Sequence, residues 1–341
     1  MVVLLRQKSI YYNFFQIEYF LKLMTMEDKK IIAVVGATGA QGGGLVRAIL
    51  NDPESGFVPR AITRSKNSDK AKELKKLGAE VVEANVDDKA SLVKAFEGGY
   101  GAFCVTFFWD HFSPDKEKQQ AKNQAEAANE AGVNHVIWST LEDTRKWIPL
   151  DDDRMPTLLG KYKVPHFDAK GESNFYFENS GVPYTLLNTS FYWENFIYFG
   201  LGPQKGQDGK YAITFPMRDK KLPGISSEDI GKCAFSIFKN GEEYKEKTVN
   251  IAGEHLSGQQ MADAFSKHLG IEVAYNAVPP SVYRSFGFPG ADDMGNMFQF
   301  KADFEKDYCG ARDISKVKKL NPELLDFDAW LEQNKHLIKI S

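Results

Sequence analysis

Cysteine is scarce in this chain, which has three in 341 residues, at Cys104, Cys233 and Cys309, and no CxxC pair. Such a set cannot build a disulfide framework or a zinc site by itself, so the small disulfide-rich and zinc-finger classes are excluded. The six histidines show no metal-ligand spacing, and we predict no metal site. Unpaired cysteines are typical of a reducing compartment, so we predict a cytoplasmic protein.

Long apolar runs and an excess of one charge are also missing. No run of about 18 apolar residues occurs, so no transmembrane helix is predicted. The 43 basic and 46 acidic residues give a net charge of −3. A protein that binds nucleic acid through its phosphates normally has a basic excess or a basic face. We therefore predict neither a membrane nor a direct nucleic-acid partner.

Residues 1–26 differ from the rest of the chain, because they are aromatic and apolar with four interspersed charges. They lack the continuous apolar core and the small-residue cleavage site of a secretory signal. A mitochondrial presequence is the alternative, but the segment has a single arginine. We interpret it as an N-terminal extension outside the fold, with Met24 or Met26 as candidate internal starts.

Strands and helices alternate regularly from Lys29 onward. The predicted strands cover residues 31–35, 57–63, 79–84, 102–106, 135–139 and 184–187. Strands separated by helices at this spacing imply right-handed βαβ units and therefore an α/β protein with a doubly wound, parallel, Rossmann-type sheet. We predict that this domain spans residues 27–190. A smaller C-terminal α+β lobe for substrate or partner contacts is predicted over 191–341, and we leave open that the two lobes interleave.

A glycine-rich loop directly follows the first predicted strand. Its residues are Gly36, Ala37, Thr38, Gly39, Ala40, Gln41 and Gly42. Glycines at this position allow a tight turn and let backbone N–H groups approach a pyrophosphate at a helix N-terminus. The strand before the loop and the apolar helix after it are the context that the motif requires. We therefore predict a dinucleotide site in the first domain, with a purely structural turn as the alternative.

The end of the second strand indicates which dinucleotide is bound. Arg64 stands there, and no acid occurs before Asp69. An acid would accept hydrogen bonds from a ribose 2′-hydroxyl, whereas arginine matches a 2′-phosphate, so NADP(H) is favoured over NAD(H). The alternative is that Arg64 is a solvated loop residue. Asn85 and Val86, after the third strand, are candidate contacts for the adenine.

Thr106, Phe107 and Phe108 end the fourth strand, on the side where the nicotinamide half is expected. The two aromatic rings could shield the nicotinamide ring. Packing against the neighbouring lobe is an equally good interpretation of both.

From about Lys29 to its C-terminus the chain resembles the NmrA-like family of atypical short-chain dehydrogenase/reductases, and within it the HSCARG-type NADPH-sensor branch. The resemblance rests on the glycine loop and on motifs in both lobes. These motifs are Gly78-Ala79-Glu80-Val81-Val82, His166-Phe167-Asp168-Ala169-Lys170-Gly171-Glu172, Gly181-Val182-Pro183, Glu194-Asn195, Gly287-Phe288-Pro289-Gly290-Ala291 and Asn296-Met297-Phe298.

The resemblance implies an NADP(H) site and a set of partners. Besides the glycine loop, the implied site residues are Arg64, Asn85, Val86, Thr106, Phe107, Phe108, Lys170, Tyr192, Trp193, Glu194 and Asn195. Relatives of that branch carry a basic residue where this chain has Ser68 and an acid where it has Asn85. The implied assembly is a homodimer that responds to the NADPH/NADP⁺ ratio. The resemblance also implies a protein partner such as argininosuccinate synthase, and residence in the nucleus as well as the cytoplasm.

The catalytic residues of a conventional dehydrogenase are incomplete here. Such enzymes use a tyrosine four residues before a lysine as the general acid. Lys170 is present, but His166 stands where the tyrosine is expected. His166 could transfer a proton or could begin and pack the helix, and Lys170 could contact the ribose or be solvated. Ser139, after the fifth strand, fits the position of the catalytic hydroxyl residue.

We therefore predict an NADP(H)-binding redox sensor that changes conformation, oligomeric state and partners with the nucleotide. The alternative is an NADPH-dependent oxidoreductase for a quinone- or carbonyl-type substrate, with Lys170 and His166 as weak catalytic candidates.

Overall fold

The computed structural model describes residues 29–340, so the predicted N-terminal extension lies outside the described residues. The strands in chain order are β1 (Lys30–Val34), β2 (Phe57–Thr63), β3 (Glu80–Glu83), β4 (Gly101–Cys104), β5 (His135–Thr140), β6 (Tyr184–Asn188), β7 (Phe191–Tyr192), β8 (Gln204–Lys205), β9 (Tyr211–Phe215), β10 (Lys221–Ile225), β11 (Lys247–Asn250), β12 (Glu254–Ser257) and β13 (Val273–Ala277).

The helices alternate with the strands in the first part of the chain and dominate its end. They are α1 (Ala40–Leu50), α2 (Asp69–Lys76), α3 (Lys89–Phe96), α4 (Pro114–Glu130), α5 (Pro165–Glu178), α6 (Asn195–Tyr198), α7 (Ser227–Lys239), α8 (Gly241–Tyr244), α9 (Gly258–Leu269), α10 (Pro280–Arg284), α11 (Ala291–Asp303), α12 (Glu305–Ala311), α13 (Ile314–Leu320) and α14 (Phe327–Asn334). Short 3-10 turns cover Phe108–Asp110, Thr144–Lys146 and Lys335–Leu337.

The main sheet has seven parallel strands in the order β11-β6-β5-β4-β1-β2-β3. The central strands β1, β4 and β5 are largely buried on both faces because helices cover both, whereas the edge strands β3 and β11 are partly polar and exposed. In β1, Ile32 and Val34 pack with the core that α1 and α7 cover. Ala33, between them, packs with the core under α3, α4 and α5. The predicted doubly wound Rossmann-type sheet is confirmed.

The two lobes interleave along the chain. After entering the second lobe, the chain returns at α7, which packs on α1, and β11 then pairs with β6 at the edge of the main sheet. Very close packing of the two helices depends on glycine. A Cβ at Gly231 would lie 2.7 Å from the carbonyl oxygen of Gly44 and closer still to the neighbouring backbone. The part of the chain from 227 to 250 therefore belongs to the first lobe in space.

The second lobe contains two small sheets, ordered β12-β10-β7 and β13-β9-β8, and the C-terminal helices. Its core is aromatic and includes Phe196, Phe215, Phe265, Phe327 and Trp330. Because β7 joins β10 directly after β6 leaves the main sheet, residues 188–192 connect the two lobes. Within residues 29–340, no helix combines the length and apolar character needed to cross a lipid bilayer.

Candidate functional site

The glycine loop forms a sharp turn between β1 and α1. Gly36 has φ of +66°, a left-handed conformation that favours glycine. A Cβ at Gly42 would lie 2.7 Å from the carbonyl carbon of Gly36 and 2.9 Å from the carbonyl oxygen of Val35, so the helix approaches the turn too closely for any side chain there. Gly39 is the N-cap of α1 and no side chain caps this end. The first N–H groups of α1 are therefore free to bind an anion.

Gln41 joins this loop to two other elements. Its Nε2 donates to the hydroxyl of Tyr192, at 2.6 Å, and its Oε1 accepts from the hydroxyl of Ser139, at 2.7 Å. Burial raises the pKa of Tyr192 to about 12, although the hydrogen bonds from Thr189 and Gln41 oppose this rise. The tyrosine is therefore neutral at physiological pH. The hydroxyl of Ser139 is engaged in its hydrogen bond to Gln41 of the glycine loop.

Arg64 lies at the carboxyl end of β2, where the prediction puts it. Its side chain is 71% exposed, and Nη1 is 3.0 Å from Oδ2 of Asp110 in the turn after β4. A surface pair of this kind is weak, so the guanidinium remains available to another anion. Asn85 and Val86 follow β3 at the same edge of the sheet, where the Asn85 side chain accepts from the N–H of Asp87.

Lys170 is anchored beneath the end of β4. Its Nζ donates to the hydroxyl of Thr106, at 2.6 Å, and lies 2.8 Å from Oε1 of Glu117 on α4. Glu117 is fully buried and also faces His111, at 3.3 Å. Burial alone would raise the pKa of Glu117, but the charge of Lys170 and the hydrogen bonds outweigh this and lower it to about 2. The carboxylate of Glu117 is therefore ionised at neutral pH, in a buried ion pair with Lys170.

Sequence reasoning missed Glu117 because it lies within a long polar helix, where an acid ordinarily faces solvent.

The two aromatic residues that follow Thr106 differ in their exposure. Phe107 is 54% exposed, whereas Phe108 is buried against Trp109 and His166. Only Phe107 of this pair is placed to cover a ligand at the end of β4.

His166 is held by a residue of the second lobe. Its Nδ1 is 2.7 Å from Oδ1 of Asp293, and its backbone N–H donates to the other carboxylate oxygen. Because a carboxylate accepts, Nδ1 is the donor in this hydrogen bond. The ring also packs on Trp109, with centroids 4.7 Å apart. The contacts of His166 thus support the packing interpretation, and they connect α5 to α11.

The structure does not bring every predicted residue to the glycine loop. Tyr192 reaches the loop, but Trp193, the next residue, is buried in the core of the second lobe against Phe327 and Trp330. Glu194 accepts from the N–H of Ser227 at the start of α7 and from the indole of Trp330. Asn195 begins the short helix α6. β7 ends at Tyr192 and Trp193 lies in the turn that follows, so only Tyr192 of the two contacts the glycine loop.

No group of three or more metal-binding side chains occurs within the described residues. The site consists instead of a glycine turn, an uncapped helix, one exposed arginine and one buried lysine. All of them lie at the carboxyl ends of parallel strands, around the point where the strand order reverses beside β1, which is where doubly wound sheets bind nucleotides.

Comparison with known proteins places this site in a family. The sequence model of the NmrA-like family matches residues 28–331. The chain belongs to the NmrA-like family. A relative, the NmrA-like family domain-containing oxidoreductase FrzB of Cladobotryum sp, is 30% identical over 293 residues, which cover 79% of this chain and 83% of that protein.

Solved structures show the same NmrA-like fold. The crystal structure of NmrA, a negative transcriptional regulator, in complex with NADP has a TM-score of 0.72 at 23% identity and covers 90% of this chain and 95% of its own. An NADPH-dependent quinone oxidoreductase of Escherichia coli, complexed with NADPH, has a TM-score of 0.67 at 23% identity, covering 91% and 99%. One fold thus holds both a regulator and an enzyme, so fold alone does not decide the function.

Proposed function

We propose that this protein binds NADP(H) at the glycine loop and acts as a redox sensor whose second lobe responds to the bound nucleotide. The fit of the dinucleotide supports the first half of the proposal. The N–H of Gly39 closes the turn on the carbonyl oxygen of Gly36, so the N–H groups that a diphosphate would meet are those at the start of α1, and a Cβ at Gly42 would block the turn. Arg64 is exposed at the end of β2, where it would hold the 2′-phosphate of NADP(H).

The single observation that carries the sensing half is a chain of hydrogen bonds from the loop to the second lobe. Gln41 donates to Tyr192, whose hydroxyl is 3.2 Å from Oγ1 of Thr189. The carbonyl oxygen of Thr189 accepts from the guanidinium of Arg312, at 2.8 Å, and Arg312 pairs with Glu142. A nucleotide that binds beside Gln41 therefore acts on residues that join the lobes. If its two redox states favour different positions of Gln41, they shift the balance between two arrangements of the second lobe.

The state of the catalytic residues also favours sensing. A conventional dehydrogenase needs a free hydroxyl and a general acid near the nicotinamide. Here Ser139 donates to Gln41, and His166 is held by Asp293 under an aromatic ring. Both side chains are used in contacts that join elements of the fold.

The test combines binding with hydrogen exchange. NADPH, NADP⁺ and NADH are titrated by calorimetry while the mass in solution is recorded, and amide exchange of the second lobe is followed in each state. We expect affinities for NADPH and NADP⁺ that differ by about fivefold or more, with different exchange around residues 308–312. Equal affinity for all three nucleotides, with unchanged mass and exchange, would remove the sensor.

Tyr192→Phe tests the path itself, because it removes the hydroxyl between Gln41 and Thr189 while keeping the ring. We expect the variant to bind NADPH but to lose the nucleotide-dependent exchange in the second lobe. Tyr198→Phe is the matched control, since that side chain is 70% exposed. An unchanged exchange response in Tyr192→Phe would contradict the proposed path.

A second candidate function is an NADPH-dependent reductase for quinone- or carbonyl-type molecules. The contacts of Lys170 favour it, because Glu117 and Thr106 hold the lysine at the end of β4, and the exposed Phe107 directly follows Thr106. NADPH supplies a hydride when bound, and Lys170 would orient the ribose while solvent or substrate provides the proton. Loss of NADPH absorbance is followed with a panel of quinones and carbonyls. Turnover that Lys170→Ala abolishes and the exposed control Lys122→Ala keeps would establish the enzyme.

The remaining parts of the proposal rest on the resemblance to the sensor branch. They are a homodimer governed by the NADPH/NADP⁺ ratio, a protein partner such as argininosuccinate synthase, and residence in cytoplasm and nucleus. Size measurement and partner capture with and without NADPH, together with imaging of the tagged protein, test these three points.

A further inference from the structure

A cluster of polar side chains is buried between the lobes, beyond Tyr192 as seen from the glycine loop. Glu142 follows β5, and Ser190 follows β6, at the carboxyl edge of the main sheet. Lys301, on α11, and Tyr308, on α12, belong to the second lobe, where Nζ of Lys301 and the guanidinium of Arg312 both lie over the ring of Tyr308. Nη2 of Arg312 is 2.7 Å from Oε1 of Glu142, and its guanidinium lies 3.7 Å from the ring centroid of Tyr308.

The hydrogen-bonding groups of this cluster are not satisfied by the protein. Within the described residues, Oε2 of Glu142, Oγ of Ser190 and the hydroxyl of Tyr308 are buried with no hydrogen-bond partner. Ser190 and Tyr308 are 6% and 3% exposed. Buried polar groups in native proteins are nearly always paired with protein, water or ligand. Glu142 and Tyr308 both contact Arg312, and Ser190 directly follows Thr189, whose carbonyl oxygen Arg312 also holds. Unpaired groups gathered around one guanidinium indicate an occupant.

Lys301 adds a cation to the same place. It is 2% exposed, and its Nζ lies over the rings of Phe167, Tyr308 and Phe298, at 5.2, 5.6 and 6.0 Å from their centroids. Burial, and secondarily the charge of Arg312, lowers the pKa of Lys301 to about 7, against the opposing effect of Glu142. When Lys301 carries its proton, which it does in about half of the molecules at pH 7 and in more of them below it, two cations face one carboxylate, one of whose oxygens Arg312 already occupies. An anion would neutralise the surplus charge.

We propose that this cluster, the inter-lobe compartment, is a binding site for a small carboxylate that carries a neighbouring hydroxyl group. The carboxylate would accept hydrogen bonds from Lys301 Nζ and from the hydroxyl of Tyr308. The ligand hydroxyl would donate to the free Oε2 of Glu142, which needs a donor rather than a second anion. The aromatic rings of Phe167, Phe298 and Tyr308 around Lys301 favour a small organic ligand over a strongly hydrated inorganic ion.

The compartment is connected to the nucleotide site. Thr189 accepts from Arg312 through its carbonyl oxygen, while its side-chain hydroxyl contacts Tyr192. A ligand that alters the position of Arg312 therefore acts through Thr189 on Tyr192, which contacts Gln41. The side chains that would hold the ligand are not those of the nucleotide site, so the ligand can bind when no nucleotide is present.

Sodium glycolate is the probe, because it has one carboxylate and one adjacent hydroxyl. Binding to the full chain is measured by calorimetry and by the shift in melting temperature. Acetate lacks the hydroxyl, glycolamide lacks the charge, and sodium chloride matches the ionic strength. We expect glycolate to bind, with acetate and glycolamide weaker by about tenfold or more, because each loses a charge-assisted hydrogen bond. An equal response to chloride or acetate, or no binding of glycolate, would overturn the proposal and leave water as the occupant.

Lys301→Met and Ser190→Ala locate the binding. Methionine keeps most of the volume of Lys301 and removes its charge, so the variant should fold and bind glycolate about tenfold more weakly or worse. Ser190→Ala is a smaller change that keeps the test valid if the first variant does not fold. Lys306→Met, at an exposed position of α12, is the matched control. NADPH affinity is measured in each variant. Undiminished glycolate binding in both Lys301→Met and Ser190→Ala would refute the site, whatever the NADPH result.

Discussion

Gly42→Ala is a single-methyl test of whether the glycine loop binds the dinucleotide. The added carbon would lie 2.7 Å from the carbonyl carbon of Gly36 and 2.9 Å from the carbonyl oxygen of Val35, whereas ordinary contacts begin at 3.4 Å. All these neighbours are backbone atoms, so no side chain can move aside. The turn and the start of α1 must separate by about 0.7 Å or more, and overpacking of this kind costs about 1–3 kcal/mol of folding stability.

The same displacement moves the N–H groups that would hold the diphosphate. Loss of one hydrogen bond to a charged group costs about 1.5–3 kcal/mol, which is a factor of about 10–150 in Kd. We expect Gly42→Ala to weaken NADPH binding by that factor in isothermal titration calorimetry. Thermal unfolding, measured without nucleotide, separates the loss of affinity from the loss of stability.

Gly43→Ala is the matched control in the same turn of α1. Its added carbon would meet the guanidinium of Arg47 at 3.2 Å and the carbonyl oxygen of Ala37 at 3.3 Å, and the arginine side chain can move. Both variants gain the same helix propensity, so that effect cancels in the comparison. If Gly42→Ala binds NADPH within about twofold of Gly43→Ala and is equally stable, the loop does not hold the diphosphate as argued.

Three further outcomes are expected. Arg64→Ala should weaken NADPH binding by about tenfold or more and leave NADH unchanged in parallel titrations; equal losses would show that Arg64 does not select the 2′-phosphate. Burial lowers the pKa of His135 to about 4 from 6.5, so the unfolded chain binds the proton first and stability should fall as the pH drops from about 6.5 to about 4. The free energy of unfolding should fall by up to about 3 kcal/mol over this pH range. In denaturant titrations His135→Gln should remove most of this pH dependence, and an unchanged dependence would show that another group causes it. Gly231→Ala should lower the melting temperature strongly by separating α7 from α1, whereas Gly310→Ala, with no atom within 4 Å of the added carbon, should not.

The main sheet could be predicted because its signals are local. Buried parallel strands are short apolar runs, and each is followed by a turn and a helix, so periodicity and spacing identify them without knowledge of the fold. The positions of the glycine loop and Arg64 follow from the same local order. The edge strand β11 could not be predicted in this way, because Lys247–Asn250 is short and half polar and pairs with β6 only after a long excursion through the second lobe.

The site residues that were missed have partners distant in sequence. Glu117 meets Lys170 across 53 positions, and Asp293 meets His166 across 127. Nothing in the local sequence distinguishes either acid from the solvated acids around it. Trp193 was expected at the nucleotide because the whole segment resembles a family motif, but it lies in the turn after β7 and its side chain packs in the core of the second lobe.

The amino-acid sequence by itself determined the class of this protein: glycines where backbone must approach backbone, apolar strands at regular spacing, and an arginine where an acid would select the other nucleotide. These properties depend on neighbours within a few residues, so they can be read along the chain. Only the tertiary structure decided what Ser139, His166 and the buried cluster around Arg312 do. Their roles depend on which side chains the fold brings within 3 Å or so, and contacts between residues far apart in sequence form only when the two lobes pack together.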